Sequence, residues 1–220
     1  MPAKPLTSNA YQIELAILAA GSSQRFGGIK QLHKYGDMTL LQRVCEQLNQ
    51  SKSQFMHFRV MLGANAERVS ASLNECYDCR HVVHWQRGMS ESIKQAVHCV
   101  SEKTTHLMVC LGDQIAISSD DIDALVQASR AWPQRLVCAQ FKSDCQNKVT
   151  TVNGVPAIFP RAYFKDLLAL QGDKGARALL ASSSHAAPSD TPICVNMPNA
   201  AVDIDTQSDL EALSRSGFKR

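Results

Sequence analysis

Short apolar runs alternate along the chain with longer amphipathic segments. Apolar runs bounded by turn residues predict buried β-strands, and apolar positions that recur at helical spacing predict helices that bury one face. The predicted strands cover residues 15–20, 58–62, 80–85, 106–111, 136–141 and 193–197. The predicted helices cover residues 39–48, 121–131, 161–170, 176–181 and 208–213, and two more begin near residues 66 and 90. This alternation predicts an α/β fold, a three-layer α/β/α sandwich around a mostly parallel, Rossmann-like sheet.

Residues that favour helix caps mark where several of these helices begin. Thr39 is placed to cap the first helix, and Ser90 the helix that begins near it. Ser118 or Ser119 is placed to cap the helix over 121–131. A serine or threonine hydroxyl at such a position accepts a hydrogen bond from a backbone N–H that the first helical turn leaves unpaired.

Three stretches depart from the alternation. Residues 1–12 are expected to form a disordered leader, which leaves a single domain over 13–214. Polar and β-branched residues over 143–160, with the turn signal Asn153-Gly154, predict a hairpin or an added flap. A Ser/Ala/Pro-rich loop follows at 182–190.

Composition excludes several classes of protein. The chain has 220 residues, of which 45% are hydrophobic, enough for a single core. The formal net charge of +3 is small and the basic residues are scattered, which disfavours a nucleic-acid partner. No apolar run approaches the roughly 20 residues of a membrane span, and the first residues lack a signal-peptide pattern. We therefore expect a cytoplasmic protein with no membrane partner.

One group of cysteines and histidines resembles a metal site in composition. Cys76, Cys79, His81 and His84 place four soft ligands within nine residues. A structural zinc site usually separates its ligand pairs by about a dozen residues or more. His81 and His84 also fall on the predicted strand over 80–85, where an offset of three directs them to opposite faces. The spacing therefore favours ordinary reduced thiols, and a zinc site is the alternative.

The first strand runs into a loop of small residues, Ala19-Ala20-Gly21-Ser22-Ser23, followed by Arg25 and Lys30. Small residues let a ligand approach the backbone, and successive N–H groups in such a turn can point at one anion. The two cations suit a polyphosphate. The loop has neither the G-x-G-x-x-G spacing of a Rossmann fingerprint nor the Gly-Lys-Ser/Thr of a P-loop.

Polar residues also follow other predicted strands. Gly88 to Ser92 opens a helix with small hydroxyls that suit a base or ribose, although simple capping is the alternative. Asp113 ends the most apolar strand, where open α/β sheets bind ligands. Asp203 and Asp205 would share one face of a strand. Beside a triphosphate these carboxylates suit Mg²⁺, and a role at a helix start is the alternative.

The loop resembles the signature of the MobA-like nucleotidyltransferases, L-A-A-G-x-S-x-R-(M/F)-G-x-x-K-Q, and residues 18–31 match every fixed position. Three further blocks are similar to those of molybdenum cofactor cytidylyltransferases. They are Gly112-Asp113-Gln114, Gly172-Asp173-Lys174-Gly175-Ala176-Arg177 and Asp203-Ile204-Asp205-Thr206. Ala20 replaces the second glycine of the guanylyl relatives, as in the cytidylyl branch. Ile115 and Gln207 stand where the family often has proline.

The resemblance implies Mg²⁺-dependent transfer of CMP from CTP to the terminal phosphate of Mo-molybdopterin, with a molybdoenzyme as the eventual recipient of the cofactor. It implies catalytic roles for Lys30, Arg25 and Asp113, with Asp113 and Asp203 as metal ligands. Acceptor contacts are implied for Asp173 and Arg177, although Arg177 also fits a helix surface. The implied nucleotide-binding residues are Leu18, Ala19, Ala20, Gly21, Ser22, Ser23, Arg25, Lys30, Gly63, Gly88 and Ser92.

Two alternatives stay open at this point. The first keeps the chemistry but uses a sugar phosphate or polyol phosphate as the acceptor, because acceptor pockets are built from loops whose geometry a sequence does not give. The second is a non-catalytic nucleotide- or cofactor-binding chaperone for a molybdoenzyme. Such a protein would bind CTP but would release no pyrophosphate.

Overall fold

The computed structural model of the protein describes residues 11–145, 148–181 and 191–215. Residues 1–10 of the predicted leader and the loop at 182–190 lie outside these described residues. Tyr11 and Gln12 were assigned to the leader, yet both contact the core. The Tyr11 hydroxyl donates to Ser129 Oγ (2.9 Å), and the Gln12 amide donates to Thr105 Oγ1 (2.9 Å). The folded part therefore begins before the predicted boundary at residue 13.

A seven-stranded sheet forms the middle layer. The described strands are β1 (Ile13–Ala19), β2 (Lys34–Tyr35), β3 (Met38–Thr39), β4 (Phe58–Leu62), β5 (Asp78–His81), β6 (His106–Leu111), β7 (Val137–Cys145), β8 (Lys148–Pro160) and β9 (Ile193–Asn196). The strand order is β5-β4-β1-β6-β8-β7-β9, while β2 and β3 form a separate ribbon. β8 runs antiparallel to β6 and β7, and the other neighbours are parallel. The mostly parallel sheet is confirmed.

Helices cover both faces of this sheet. The described α-helices are α1 (Leu40–Asn49), α2 (Ala66–Ser70), α3 (Met89–Cys99), α4 (Ser119–Ala131), α5 (Phe164–Leu168), α6 (Arg177–Leu180) and α7 (Gln207–Arg215). Apolar residues of α1, α2, α4 and α7 join one buried core, and those of α3, α5 and α6 join a second. This is the predicted three-layer sandwich. None of the described helices combines the length and the apolar character needed to cross a membrane.

β1 lies inside the sheet, between β4 and β6, and separates the two cores. All seven of its residues are buried. Ile13, Leu15 and Ile17 pack in one core, while Ala16 and Leu18 pack in the other. Successive side chains of a strand point to opposite faces, so a strand covered on both sides reads as the continuous apolar run seen in the sequence.

Helix capping agrees with the sequence at two starts and differs at a third. Thr39 caps α1 and Ser118 caps α4, each in a capping box with the residue three positions later. The assignment of Ser90 as a cap was wrong. α3 begins at Met89 directly after Gly88, so Ser90 lies inside the first turn, where its buried hydroxyl has no hydrogen-bond partner among the described residues.

Other predicted boundaries also shift. The strand predicted over 80–85 ends at His81, because the chain then turns into a 3₁₀ helix at Trp85–Arg87. The hairpin is confirmed, but Asn153-Gly154 is not its turn. The ladder continues past these residues to the ends of β7 and β8, and Gly154 lies beside a register shift in the facing strand. The helix predicted over 161–170 is divided into a 3₁₀ turn and α5.

Candidate active site

A cleft of about 850 Å³ opens at the C-terminal ends of β1 and β6. Its lining residues are Leu18, Ala19, Ala20, Gly21, Ser22, Ser23, Gln24, Arg25, Lys30, Gln31, Trp85, Gln86, Gly88, Met89, Ser92, Leu111, Gly112, Asp113, Asp173 and Asp205. Ligands of open α/β sheets bind outside the carboxyl ends of the strands, and the cleft occupies that place.

The loop after β1 is held in a fixed shape by Gln31. The Gln31 side chain is buried. Its amide Nε2 donates to the carbonyls of Ala19 (3.0 Å) and Gly21 (2.9 Å), and its Oε1 accepts from Ser23 Oγ (3.1 Å). Ser23 adopts a left-handed conformation with φ of 58°, which turns the chain into a 3₁₀ helix at Gln24–Phe26. Sequence reasoning gave Gln31 no role. Its signal was the fixed glutamine that ends the signature.

Four charged side chains that line the cleft next to this loop are connected by ion pairs. Lys30 Nζ lies 2.7 Å from Asp113 Oδ2 and 3.5 Å from Asp205 Oδ1. Arg25 Nη1 lies 3.0 Å from Asp205 Oδ2. The Lys30 side chain is only 13% exposed, whereas that of Arg25 is 76% exposed. Lys30 is therefore held in place, and Arg25 extends toward solvent.

The C-terminal segment brings two more carboxylates to Asp113, but not as the predicted strand. Residues 202–205 form no regular element. Instead, the Ile204 amide donates to the Asp113 carbonyl (3.3 Å), and Ile204 is fully buried. Asp203 and Asp205 flank this anchored residue. Gln114, which sequence reasoning left without a role, strengthens the connection because its Nε2 donates to the Ala200 carbonyl (3.1 Å).

The carboxylates in this region are crowded. Loss of hydration, together with the charges of Asp113 and Asp205, raises the pKa of Asp203 to about 6. Loss of hydration is the larger cause of this shift in pKa, and the two neighbouring negative charges add to it. One oxygen of Asp113, Oδ1, is buried without a hydrogen-bond partner among the described residues. Both observations indicate a site that has negative charge available for a cation.

The opposite wall of the cleft comes from the segment that follows β5. Gly63, at the end of β4, lies beneath it: a Cβ there would be 2.5 Å from the Ala20 carbonyl oxygen and 2.6 Å from Trp85 Cβ. Gly88 has φ of 107°, and a Cβ there would lie 2.5 Å from Asp173 Oδ1. Both glycines therefore permit close packing that a larger residue would block.

Most of the predicted site residues lie together in this cleft. The exceptions are Gly63, Asp203 and Arg177. Gly63 supports the wall from below, and Asp203 lies just outside the lining, beside Asp113. Arg177 was expected at the acceptor side, but it is exposed on α6 and does not line the cleft. α6 is a single short turn that begins after the buried Ala176, which directs the arginine to the surface.

The Cys/His group does not form a compact cluster. His81 ends β5, and His84 precedes the 3₁₀ helix at Trp85–Arg87 instead of continuing the strand. Cys76 is exposed and Cys79 is half-buried. Within residues 11–145, 148–181 and 191–215, no group of three or more His, Cys, Asp or Glu side chains has the arrangement of a metal site.

Several solved structures share this fold. A homolog of Mycobacterium tuberculosis Rv0371c from Mycobacterium sp. strain JC1 is 29% identical, with a TM-score of 0.74 over 93% of this chain and 96% of that chain. Rv0371c of M. tuberculosis H37Rv in complex with manganese is 26% identical, with a TM-score of 0.72 over 93% and 98%. CMP:2-keto-3-deoxy-manno-octonic acid synthetase, complexed with CTP, shares the fold at 12% identity, with a TM-score of 0.68 over 94% and 98%.

A sequence profile gives the family directly. The search of curated proteins returned no match. The profile of the MobA-like NTP transferase domain matches residues 15–187, which include the loop after β1 and the cleft-lining residues Trp85, Asp113 and Asp173. The chain therefore belongs to the MobA-like NTP transferase domain family, whose chemistry is nucleotidyl transfer.

Proposed function

We propose that the protein transfers CMP from CTP to the terminal phosphate of Mo-molybdopterin. An oxygen of the acceptor phosphate attacks the α-phosphorus of CTP, the bond from that phosphorus to the bridging oxygen of the β-phosphate breaks, and pyrophosphate leaves. The observation that carries the proposal is the convergence, in one cleft, of the loop after β1, Lys30 and Asp113. Such a reaction depends on positioning and charge stabilisation, and needs no protein nucleophile.

The loop after β1 is suited to the triphosphate. Amides of Ala20 to Ser23 would donate to phosphate oxygens, and the hydrogen bonds of Gln31 hold the loop in one shape before the nucleotide arrives. Lys30 can exchange its carboxylate partners for phosphate oxygens, and the exposed Arg25 can reach outward to the same charge. Negative charge that develops on the leaving pyrophosphate is then stabilised by two cations.

A divalent cation fits the acidic side of the cleft. Three carboxylates, Asp113, Asp203 and Asp205, surround two cations, Lys30 and Arg25, so the network is one negative charge in excess when all five groups are ionised. Asp113 Oδ1 also lacks a partner among the described residues. Mg²⁺ binds through one or two carboxylates together with phosphate oxygens and water, and supplies charge neutralisation to the triphosphate. Asp113 and Asp203 would hold it. The manganese complex of Rv0371c supports a divalent ion.

The acceptor is assigned from the blocks that resemble those of molybdenum cofactor cytidylyltransferases, and Asp173 supports it. Asp173 lines the cleft next to Gly88, so it lies within reach of a molecule bound beside the nucleotide. A carboxylate accepts hydrogen bonds from N–H groups, such as those on the edge of a pterin ring. Arg177 retains an acceptor role in this proposal only if the acceptor extends beyond the cleft.

The test is pyrophosphate release by the purified protein with Mg²⁺ and each of CTP, GTP, ATP and UTP, with and without Mo-molybdopterin. We expect release with CTP only, and only when the pterin is present. Release that requires a sugar phosphate or polyol phosphate instead would replace the acceptor. CTP binding by folded protein without release under any of these conditions would indicate a binding protein and contradict the proposed transfer.

A further inference from the structure

The cleft is divided by β1 into two chemically different sides. In the sheet, β4 and β5 lie on one side of β1 and β6 lies on the other. Asp113, at the end of β6, and its partner Lys30 belong to the β6 side. Trp85, in the segment that follows β5, belongs to the β4 side. A nucleotide whose phosphates occupy the loop after β1 would have its metal on the Asp113 side, and its base would be directed to the Trp85 side.

Trp85 is held rigidly on the β4 side. Its amide donates to the Val82 carbonyl (3.3 Å), and its carbonyl accepts from the Gly88 amide (3.1 Å), which closes the 3₁₀ turn on both sides. Beneath the side chain, Gly63 lies so close that a Cβ on it would be 2.6 Å from Trp85 Cβ and Cγ. The fold therefore fixes the backbone and the Cβ–Cγ end of Trp85, which limits the conformational freedom that the side chain would lose on binding.

Among the described residues that line the cleft, Trp85 is the one aromatic side chain. Its neighbours on this wall, Gln86, Gly88, Met89 and Ser92, are polar, small or flexible, and none offers a flat surface. Trp85 is half-buried, packs against the second core and also lines the cleft. An aromatic face that borders a nucleotide cleft is suited to a planar ring, because every base presents a π-face.

We propose that Trp85 is a nucleotide-binding residue that stacks on the base. This inference rests on the proposed function for the orientation of the nucleotide in the cleft. Stacking tolerates different bases, so Trp85 contributes affinity for nucleosides in general, and discrimination between bases is left to the polar groups around it.

The test separates the base from the phosphates. The chain has two tryptophans, and the second, Trp132, is exposed directly after α4, outside the cleft. All measurements use a Trp132→Phe background, so that Trp85 is the sole fluorescent reporter. In that background, Trp85→Leu removes the aromatic ring, and Trp85→Phe keeps a smaller one. Titration calorimetry with Mg²⁺ measures the dissociation constants of CTP and of inorganic tripolyphosphate, which has the charges but no base.

We expect Trp85→Leu to weaken CTP binding by about tenfold or more, and Trp85→Phe by much less, because base–aromatic stacking contributes about 1–3 kcal/mol. Tripolyphosphate affinity should stay within about twofold in both variants, since the phosphates contact the loop and not the ring. In the background protein, CTP should quench Trp85 fluorescence and tripolyphosphate should not.

Two results would overturn the inference. Equal losses for CTP and tripolyphosphate would mean that Trp85 merely supports the cleft wall, and unchanged CTP affinity in Trp85→Leu would mean that the ring does not contact the base. Failure of the proposed function gives a different pattern. If GTP or ATP binds in place of CTP and still depends on Trp85, the CTP assignment is wrong while the stacking role stands.

Discussion

Two clusters of charged residues lie at opposite ends of β1, and they differ in how fully their charges are paired. At the N-terminal end of β1, the buried carboxylate of Glu14 accepts hydrogen bonds from Arg59, from the Ser101 amide (2.9 Å) and from the Thr104 hydroxyl. Arg59 also bonds to Asp78 (3.1 Å). Both oxygens of Glu14 thus have partners, and Glu14 and Arg59 are buried while Asp78 lies partly exposed at the edge of the cluster.

At the C-terminal end the same types of group are left incompletely paired. Asp113 has one buried oxygen without a partner among the described residues, and the pKa of Asp203 is raised by loss of hydration and by two neighbouring carboxylates. A buried charge is tolerated in a fold when hydrogen bonds satisfy it, as around Glu14. Incomplete pairing lowers stability and is expected where a ligand completes the arrangement. The difference assigns the first cluster to the fold and the second to function.

The largest expected effect comes from Asp113→Asn at the functional cluster. The substitution keeps the size of the side chain but removes a charge that the proposed metal requires. We expect transition-state stabilisation to fall by several kcal/mol, or roughly a thousandfold or more in kcat. Steady-state pyrophosphate release measures kcat, and thermal unfolding measured in parallel should show little loss of stability.

Asp37→Asn is the matched control for this change. Asp37 is an exposed carboxylate between β2 and β3, outside the cleft, so its neutralisation should leave kcat unchanged. Near-wild-type turnover by correctly folded Asp113→Asn would remove Asp113 from the chemistry. It would also contradict the functional role that distinguishes the Asp113 cluster from the Glu14 cluster.

The opposite outcome is expected for Glu14→Gln at the structural cluster. The amide retains the shape but leaves the buried Arg59 without its fully buried counter-charge. Breaking one partner of a buried ion pair costs about 3–5 kcal/mol, and we expect a decrease of that size in the free energy of unfolding. Urea denaturation measures it, and turnover per folded molecule should not change.

A double variant sharpens this prediction. Replacing the pair together, with Glu14→Leu and Arg59→Met, removes both charges and should recover much of the stability that the single variant loses. If Glu14→Gln instead leaves unfolding unchanged and lowers kcat, the N-terminal cluster communicates with the cleft, and the assignment of roles by pairing is wrong.

The sequence predicted those parts of the fold that depend on local patterns. Strands β4 and β6 have the bounds expected from their apolar runs, because burial on both sheet faces leaves a continuous signal. The cap at Thr39 was also predicted, since a hydroxyl followed by a glutamine three residues later is a local feature. The loop after β1 was found for the same reason: its residues are consecutive.

Contacts between distant segments were predicted only in part. Asp203 and Asp205 were expected near Asp113, but the hydrogen bond from Ile204 that places them there spans about ninety positions of sequence and leaves no local pattern. Gln31 bonds to the loop after β1, and Trp85 packs against Gly63. Both contacts join residues that are separated in the sequence, so they were identified only from the structure. Arg177 was expected at the acceptor side of the cleft and lies outside the cleft lining, because a motif position does not specify which way a short helix directs its side chain.

The smallest expected effect is a pH dependence at Asp203. Its pKa in the folded state is about 6, above the ordinary value of 3.8, so folding favours the protonated form. The stabilisation is fully present below the ordinary pKa and is lost as the pH rises through about 6. Asp203→Asn, which stays neutral, should therefore have a higher Tm than the wild type at about pH 8, and this advantage should disappear by about pH 4.

This measurement uses thermal unfolding in EDTA, so that no divalent ion screens the carboxylates. Because Asp203 is partly exposed, water weakens its repulsion with Asp113 and Asp205, and the difference in Tm should be a few degrees at most. Asp37→Asn, whose carboxylate is exposed and remote from the cleft, should show no comparable trend. A difference between Asp203→Asn and wild type that is the same at every pH would mean that Asp203 is not the titrating group. The crowding at the C-terminal end of β1 would then lie between Asp113 and Asp205, the two carboxylates that Lys30 already contacts.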